Sequence, residues 1–283
     1  MTTRTVLTIA VLTLREASRR RVLLALTVLT AVLIALSGWG FSRLAAESGG
    51  TLTSGEARLT ASILLNLVMF GFSLIAALGT AFLAGPTLAG ETESGIALTV
   101  LARPVRRSAF LLGKWLGLVA FGSGFVVLAG LAQCLVVRAT VGYWPPDPAA
   151  ALALLAAQTT VLLTLAVLLS TAVSPMASGV VAVGLFGTAW VAGVVGGIGA
   201  SLDNESVERV GTLSRVLLPT DGLWRGAMHA FQDPRALLQF GDEGQAFPFL
   251  SAAPLTPAYL AWAALWVSMV WGLAAASFVR KDL

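Results

Sequence analysis

Fifty-five consecutive residues, Pro148 to Leu202, carry no charged side chain. One helix of that length would reach roughly 80 Å at ~1.5 Å per residue, more than twice the ~30 Å hydrocarbon core of a bilayer. The run must therefore fold back. Ser174-Pro175 marks the break, because proline does not continue a preceding helix. Two spans follow, near 150–172 and 178–200. Composition agrees: 57% of the 283 residues are hydrophobic and 11% charged, against roughly 25% charged in soluble domains. A bilayer is the expected solvent.

Four more apolar stretches supply spans near 22–41, 60–85, 115–137 and 258–279. Basic residues precede the first, as in a signal peptide, but Val22 to Phe41 is 20 uncharged residues, long for a signal core. With Met1 opening the sequence, no leader is expected to have been removed. Residues 1–21 place Arg4, Thr8, Arg15 and Arg19 at helical spacing, beside Val6, Leu7, Ile9, Ala10, Leu12 and Leu14. That pattern predicts a helix lying in the membrane interface, basic side towards anionic lipid. After the third span, Tyr143 and Trp144 stand where interfacial aromatics belong.

The polar segment 201–257 reads as short amphipathic pieces. Glu205 to Leu217 places Val207, Val210, Leu213 and Leu217 on one side. Thr220 or Asp221 is positioned to cap a second piece whose Leu223, Trp224, Ala227, Met228 and Phe231 are apolar. Asp233-Pro234 looks like a cap followed by proline at the first helical position, opening a third. These are too broken to span and suit the outer leaflet or a re-entrant position. The expected fold is an all-α integral membrane protein, one domain over 1–283, with six transmembrane helices and an N-terminal interfacial helix.

Six spans put both termini on one side. That side (1–21, 86–114 and 280–283) holds eleven Lys/Arg against four acids, and the other seven Arg against ten acids. The positive-inside tendency assigns the termini to the cytoplasm.

The chemistry excludes several functions. The span centres hold no ionisable group; Asn66, Gln133 and Gln158 are their largest polar side chains, which disfavours a proton or sodium path. Met69, Met176 and Met269 are scattered and Cys134 is alone, so copper conduction is disfavoured and no metal site is expected. Cys134 itself reads as a small buried apolar residue. A net charge of +4, spread along the chain, does not argue for nucleic acid. Gly113-Lys114 fails as a P-loop, with Ser108 where glycine is required and Trp115 in place of Ser/Thr. Gly71-Phe72-Ser73 would need a base, and His229, the only histidine, falls in the outer segment. Asn204-Glu205-Ser206 fits a glycosylation sequon. Gly193 and Gly197, four apart, allow close helix packing. With neither ion path nor catalytic set, energy would have to arrive through a cytoplasmic surface.

That surface is Gly90 to Gly117, between the second and third spans. Glu91-Thr92-Glu93-Ser94-Gly95, then Leu101-Ala102-Arg103-Pro104-Val105-Arg106, then Leu112-Gly113-Lys114-Trp115-Leu116-Gly117 resemble the acidic-Ser-Gly segment, "RPV" turn and "LGK.LG" motif of ABC transporter membrane subunits of the ABC-2 permease type. The basic N-terminus, the six spans and the Arg-Lys-Asp-Leu end are similar too. Ile96 departs from the pattern, where many relatives carry Thr. The resemblance implies a cytoplasmic coupling helix between the second and third spans, with Glu91, Thr92, Glu93, Ser94 and Gly95 docking on P-loop ATPase subunits. It implies pairing with a second permease chain, as homo- or heterodimer. No cofactor would sit in this chain; ATP and magnesium would be bound by the ATPase. Arg103, Arg106, Arg107 and Lys114 would anchor the segment at lipid headgroups.

The implied function is export or extrusion of an amphipathic, lipid-like or drug-like cargo from the cell membrane. The alternative is a non-transporting subunit whose ATPase drives conformational work on an external protein. In intact cells, cysteines introduced at position 93 or 106 into a Cys134→Ser background are expected to react only with membrane-permeant reagents. Labelling by an impermeant reagent would reverse the assigned orientation.

Overall fold

The computed structural model describes residues 2–19, 21–47, 55–93, 106–233, 248–251 and 253–280. Among them the regular elements are all helices: α1 (Thr2–Arg19), α2 (Arg21–Glu47), α3 (Gly55–Glu93), α4 (Arg107–Val141), α5 (Pro148–Ala172), α6 (Pro175–Ser201), α7 (Glu205–Leu217), α8 (Thr220–Phe231) and α9 (Pro257–Arg280). Six of these, α2 to α6 and α9, are long and apolar enough to cross a membrane. Helices suit that environment because each satisfies its own backbone polar groups where no water can.

The breaks follow local chemistry. Gly142 ends α4 in the left-handed conformation (φ 71°), its N–H donating to Arg138 O, a geometry glycine adopts without penalty. Asp147 opens α5 by accepting from Ala150 N at 3.1 Å, with Pro148 in the first turn. Pro175 likewise opens α6.

The structure extends some expectations and corrects others. The helix that carries the second span is longer than the span: α3 runs 39 residues through Pro86 to Glu93, with Thr60–Gly79 its most apolar stretch. Tyr143 is buried, its hydroxyl donating to Phe231 O at 2.8 Å, whereas Trp144 stays exposed with the Arg138 guanidinium 5.3 Å from its ring centroid. The α7 stripe leaves Val210, Leu213 and Leu217 exposed, in keeping with a piece that lies against lipid, and Gly211 is the buried residue of that helix. Asp221 does not cap α8; Pro219 holds the N-cap position and no side chain bonds there. The third piece, after Asp233-Pro234, lies outside the described residues.

Glycines set two close crossings. A Cβ on Gly113 or Gly117 would strike Ile9 or Thr13, or the carbonyls of Val6 and Ala10, so α1 lies directly on α4. A Cβ on Gly196 would lie 2.6 Å from Gly211 Cα, so α7 rests on α6 backbone to backbone. That approach decides α7's orientation: its apolar stripe is left facing outwards, where a bilayer supplies lipid. The apolar face of α8 is fully used, with Leu223, Trp224, Ala227, Met228 and Phe231 all buried in the bundle, chiefly against α5. The α1–α4 crossing and the α7–α8 pair occupy opposite ends, since α1 meets the start of α4 while α8 bonds the α4–α5 turn through Asp147 N and Ala230 O (3.2 Å).

Gly196→Ala is expected to lower stability in detergent by about 1–3 kcal/mol, because backbone must move to admit the methyl. Gly184→Ala, with nothing within 4 Å of the added carbon, is expected to be neutral or slightly stabilising, as alanine is the better helix former. Thermal unfolding of the two variants side by side checks the contrast.

Candidate functional site

The site residues expected from the sequence fall at both ends of the bundle. Glu91, Thr92 and Glu93 form the last described turn of α3, which holds no basic residue. Ser94, Gly95 and Arg103 lie outside the described residues. Arg106 is exposed at the N-cap of α4. Arg107 donates through Nη1 to Val279 O at 3.2 Å, tying the start of α4 to the end of α9.

Lys114 differs from the headgroup anchor expected of it. It is buried, with Nζ 3.5 Å from Glu16 Oε2 on α1 and 5.8 Å from the Phe110 ring centroid. The reason is the glycine crossing: Gly113 and Gly117 bring α1 onto α4, so the ammonium between them meets a carboxylate before it can reach lipid.

At the opposite end lies a charge cluster whose pairing the sequence did not suggest. Asp221, in the first turn of α8, is buried to 1% side-chain exposure, and its Oδ2 accepts from Arg215 Nε at 3.0 Å and Arg225 Nε at 3.1 Å. Arg225 also donates through Nη2 to Gly193 O on α6 at 2.7 Å. A Cβ on Gly193 would overlap the Asp221 carboxylate, so this glycine makes room for an ion pair. Gly197, its partner in the expected packing motif, is buried too and lines a cavity beside the cluster. Burial lowers the Arg225 pKa, and the facing Asp221 charge opposes that shift. A guanidinium keeps its proton regardless.

Three aromatic donors of α9 secure the same corner. Tyr259 Oη donates to Arg215 O at 3.0 Å, Trp262 Nε1 to Val216 O at 3.2 Å, and Trp266 Nε1 to Leu217 O at 2.8 Å. These acceptors include the last carbonyls of α7, which have no partner inside their own helix. The spacing 259, 262, 266 is one face of a helix, and that was the signal available in the sequence.

Within the bundle, Ser73 Oγ donates to Gln158 Oε1 at 2.9 Å and Gln158 Nε2 to Thr220 O at 3.3 Å. His229 Nδ1 contacts Ser251 O at 3.2 Å. Ser73 thus faces an amide, not a base. Among the described residues no group of three or more His, Cys, Asp or Glu could hold a metal ion.

Residues 7–283 match the model of a family described as ABC-2 family transporter protein. The chain belongs to that family. It is a multi-pass integral membrane protein and a permease of an ABC transporter. No individual curated protein matches it. In this ABC-2 permease the charged groups described inside the fold are paired and stand near the bundle ends, while the polar contacts between Ser73, Gln158 and Thr220 are neutral.

Asp221→Ala in the permease would leave two guanidiniums facing each other with no carboxylate between them. A loss of about 3–5 kcal/mol is expected, as for one partner removed from a buried pair. Glu205→Ala, which breaks an exposed pair with Arg209, is expected to cost under about 1 kcal/mol. Unfolding midpoints in detergent separate the two.

Proposed function

We propose that the chain is the transmembrane subunit of an ATP-driven exporter. A separate cytoplasmic P-loop ATPase docks on residues 91–95, a second permease chain completes the transporter, and the cargo is amphipathic, lipid-like or drug-like. Family membership across residues 7–283 is the observation that carries this reading. It implies a subunit that works with ATPases, which would bind ATP and magnesium themselves.

Three features support the finer parts. Glu91 and Glu93 fall in the last described turn of a helix without basic residues there. Two carboxylates in one turn are a local excess of negative charge, which basic side chains of a partner would pair with. Arg107, Arg280 and α1 gather at the end of the bundle where α4 begins, in keeping with a cytoplasmic face in the cell membrane. The membrane interior offers neutral contacts such as Ser73 with Gln158, which suits an uncharged or amphipathic cargo better than a small ion.

Co-expression with a P-loop ATPase encoded beside the permease gene tests the docking step. The wild-type chain is expected to copurify with it, and Glu91→Lys with Glu93→Lys to abolish copurification while leaving the unfolding midpoint unchanged. Copurification that survives both charge reversals would remove residues 91–95 from the interface.

A further inference from the structure

The corner formed by α6, α7, α8 and the start of α9 encloses a cavity of about 300 Å³, lined by Gly197, Glu208, Arg215, Arg225, Pro254 and Tyr259 among others. That volume is at the lower limit of ligand pockets, ~300–1,000 Å³, enough for a polar headgroup. Each arginine gives its Nε–H to Asp221, and Arg225 gives one Nη donor to Gly193 O. The other Nη donors have no acceptor among the described residues, so a guanidinium's five donors are only partly used. Asp221 fixes both groups and cancels one of their two charges, leaving one net positive charge on the wall. Glu208 supplies the opposite charge on another part of that wall, and its carboxylate has no partner among the described residues.

A second cavity of about 320 Å³ lies on the apolar side, between α5 and α9, lined by Ala157, Thr160, Val161, Leu223, Leu260 and Val267 among others. The two share neighbouring wall residues: Gly222 and Tyr259 line the charged one, Leu223 and Leu260 the apolar one.

We propose that this corner binds a zwitterionic phospholipid. The headgroup phosphate sits against Arg215 and Arg225, the headgroup ammonium against Glu208, and an acyl chain along the α5–α9 groove. Guanidiniums already held by Asp221 lose little freedom on meeting a phosphate, which favours binding. An anionic lipid satisfies the arginines but brings like charge near Glu208, so charge complementarity selects the zwitterion. The apolar groove selects a lipid over its free headgroup. This reading stands on the cavity and does not depend on the docking of an ATPase.

Native mass spectrometry of the detergent-solubilised full chain, with phosphatidylethanolamine and phosphatidylglycerol supplied equally, tests it. The wild-type chain is expected to retain phosphatidylethanolamine about two- to fivefold better, the size of one solvent-accessible charge pair. Glu208→Gln, which removes no side-chain contact among the described residues, is expected to reverse the order. Glu205→Gln, on the same helix but away from the cavity, is expected to keep it. Soluble phosphoethanolamine at equal concentration is expected not to displace the lipid. Equal retention of the two lipids, preference for phosphatidylglycerol in the wild type, an unchanged order in Glu208→Gln, or displacement by the soluble headgroup would each overturn the proposal.

Discussion

A carboxylate buried to 1% exposure in a bundle with this little polar surface survives only if its charge is met, because an unpaired charge in a low-dielectric interior costs several kcal/mol. Asp221 meets that condition with two guanidiniums on one oxygen, and much of the surrounding architecture follows. Arg215 must come from α7, so α7 has to lie against α6, and Gly196 and Gly211 permit it. Arg225 must reach α6, and Gly193 offers its carbonyl while leaving space for the carboxylate. The α7 carbonyls brought to this corner are then satisfied by Tyr259, Trp262 and Trp266. The glycine-rich run of α6 is thereby explained by what packs on it: an ion cluster and a short helix.

The large features of this fold were legible because they rest on one-dimensional constraints. Uncharged runs of bilayer length mark the spans, and Pro148, Pro175 and Gly142 mark their limits through backbone geometry that needs no neighbour. The site residues depend on partners distant in sequence or hidden across a break. Lys114 pairs with Glu16, 98 positions away, and looks like a cytoplasmic anchor until α1 is seen on Gly113 and Gly117. Asp221 looks like a helix cap because Pro219 precedes it, yet Arg215 and Arg225 on either side compete for the same oxygens. On α7, a bilayer removes the penalty for exposing Leu213 and Leu217, so backbone proximity at Gly211 decides which face meets the bundle. The amphipathic rule that orients a helix in water loses its force here.

The two ends of the molecule are built on different principles. Where α1, the start of α4 and the end of α9 meet, the Lys114–Glu16 ion pair and the Arg107 bond to the Val279 carbonyl accompany glycine packing. The ion pair is partly exposed through Glu16, and such pairs contribute about 0–1 kcal/mol. Where α6, α7 and α8 meet, three charges share one buried network with a main-chain carbonyl. At this second end, separating α7 from α8 would part Arg215 from Asp221, and separating α6 from α8 would take the Gly193 carbonyl from Arg225, so movement there costs more.

Between these ends, α3 carries the Glu91–Glu93 turn and Ser73 on the same uninterrupted helix, about 27 Å apart at 1.5 Å per residue. From Ser73 the path continues to Gln158 on α5 and to Thr220, which opens α8 one residue before Asp221. Each of these neutral bonds contributes about 0.5–1.5 kcal/mol, against several for the ion cluster beyond them. If α3 and α8 separate, the neutral bonds at Gln158 cost less to break than those of the α6–α7–α8 corner, and the Phe70–Trp224 ring contact (5.5 Å) opens with them. Gln158 is better suited to that position than a charged residue, since an ion there would make the same separation prohibitively costly. The absence of charge along the described span centres, first read as the lack of an ion path, is equally what lets packed helices slide without stranding one.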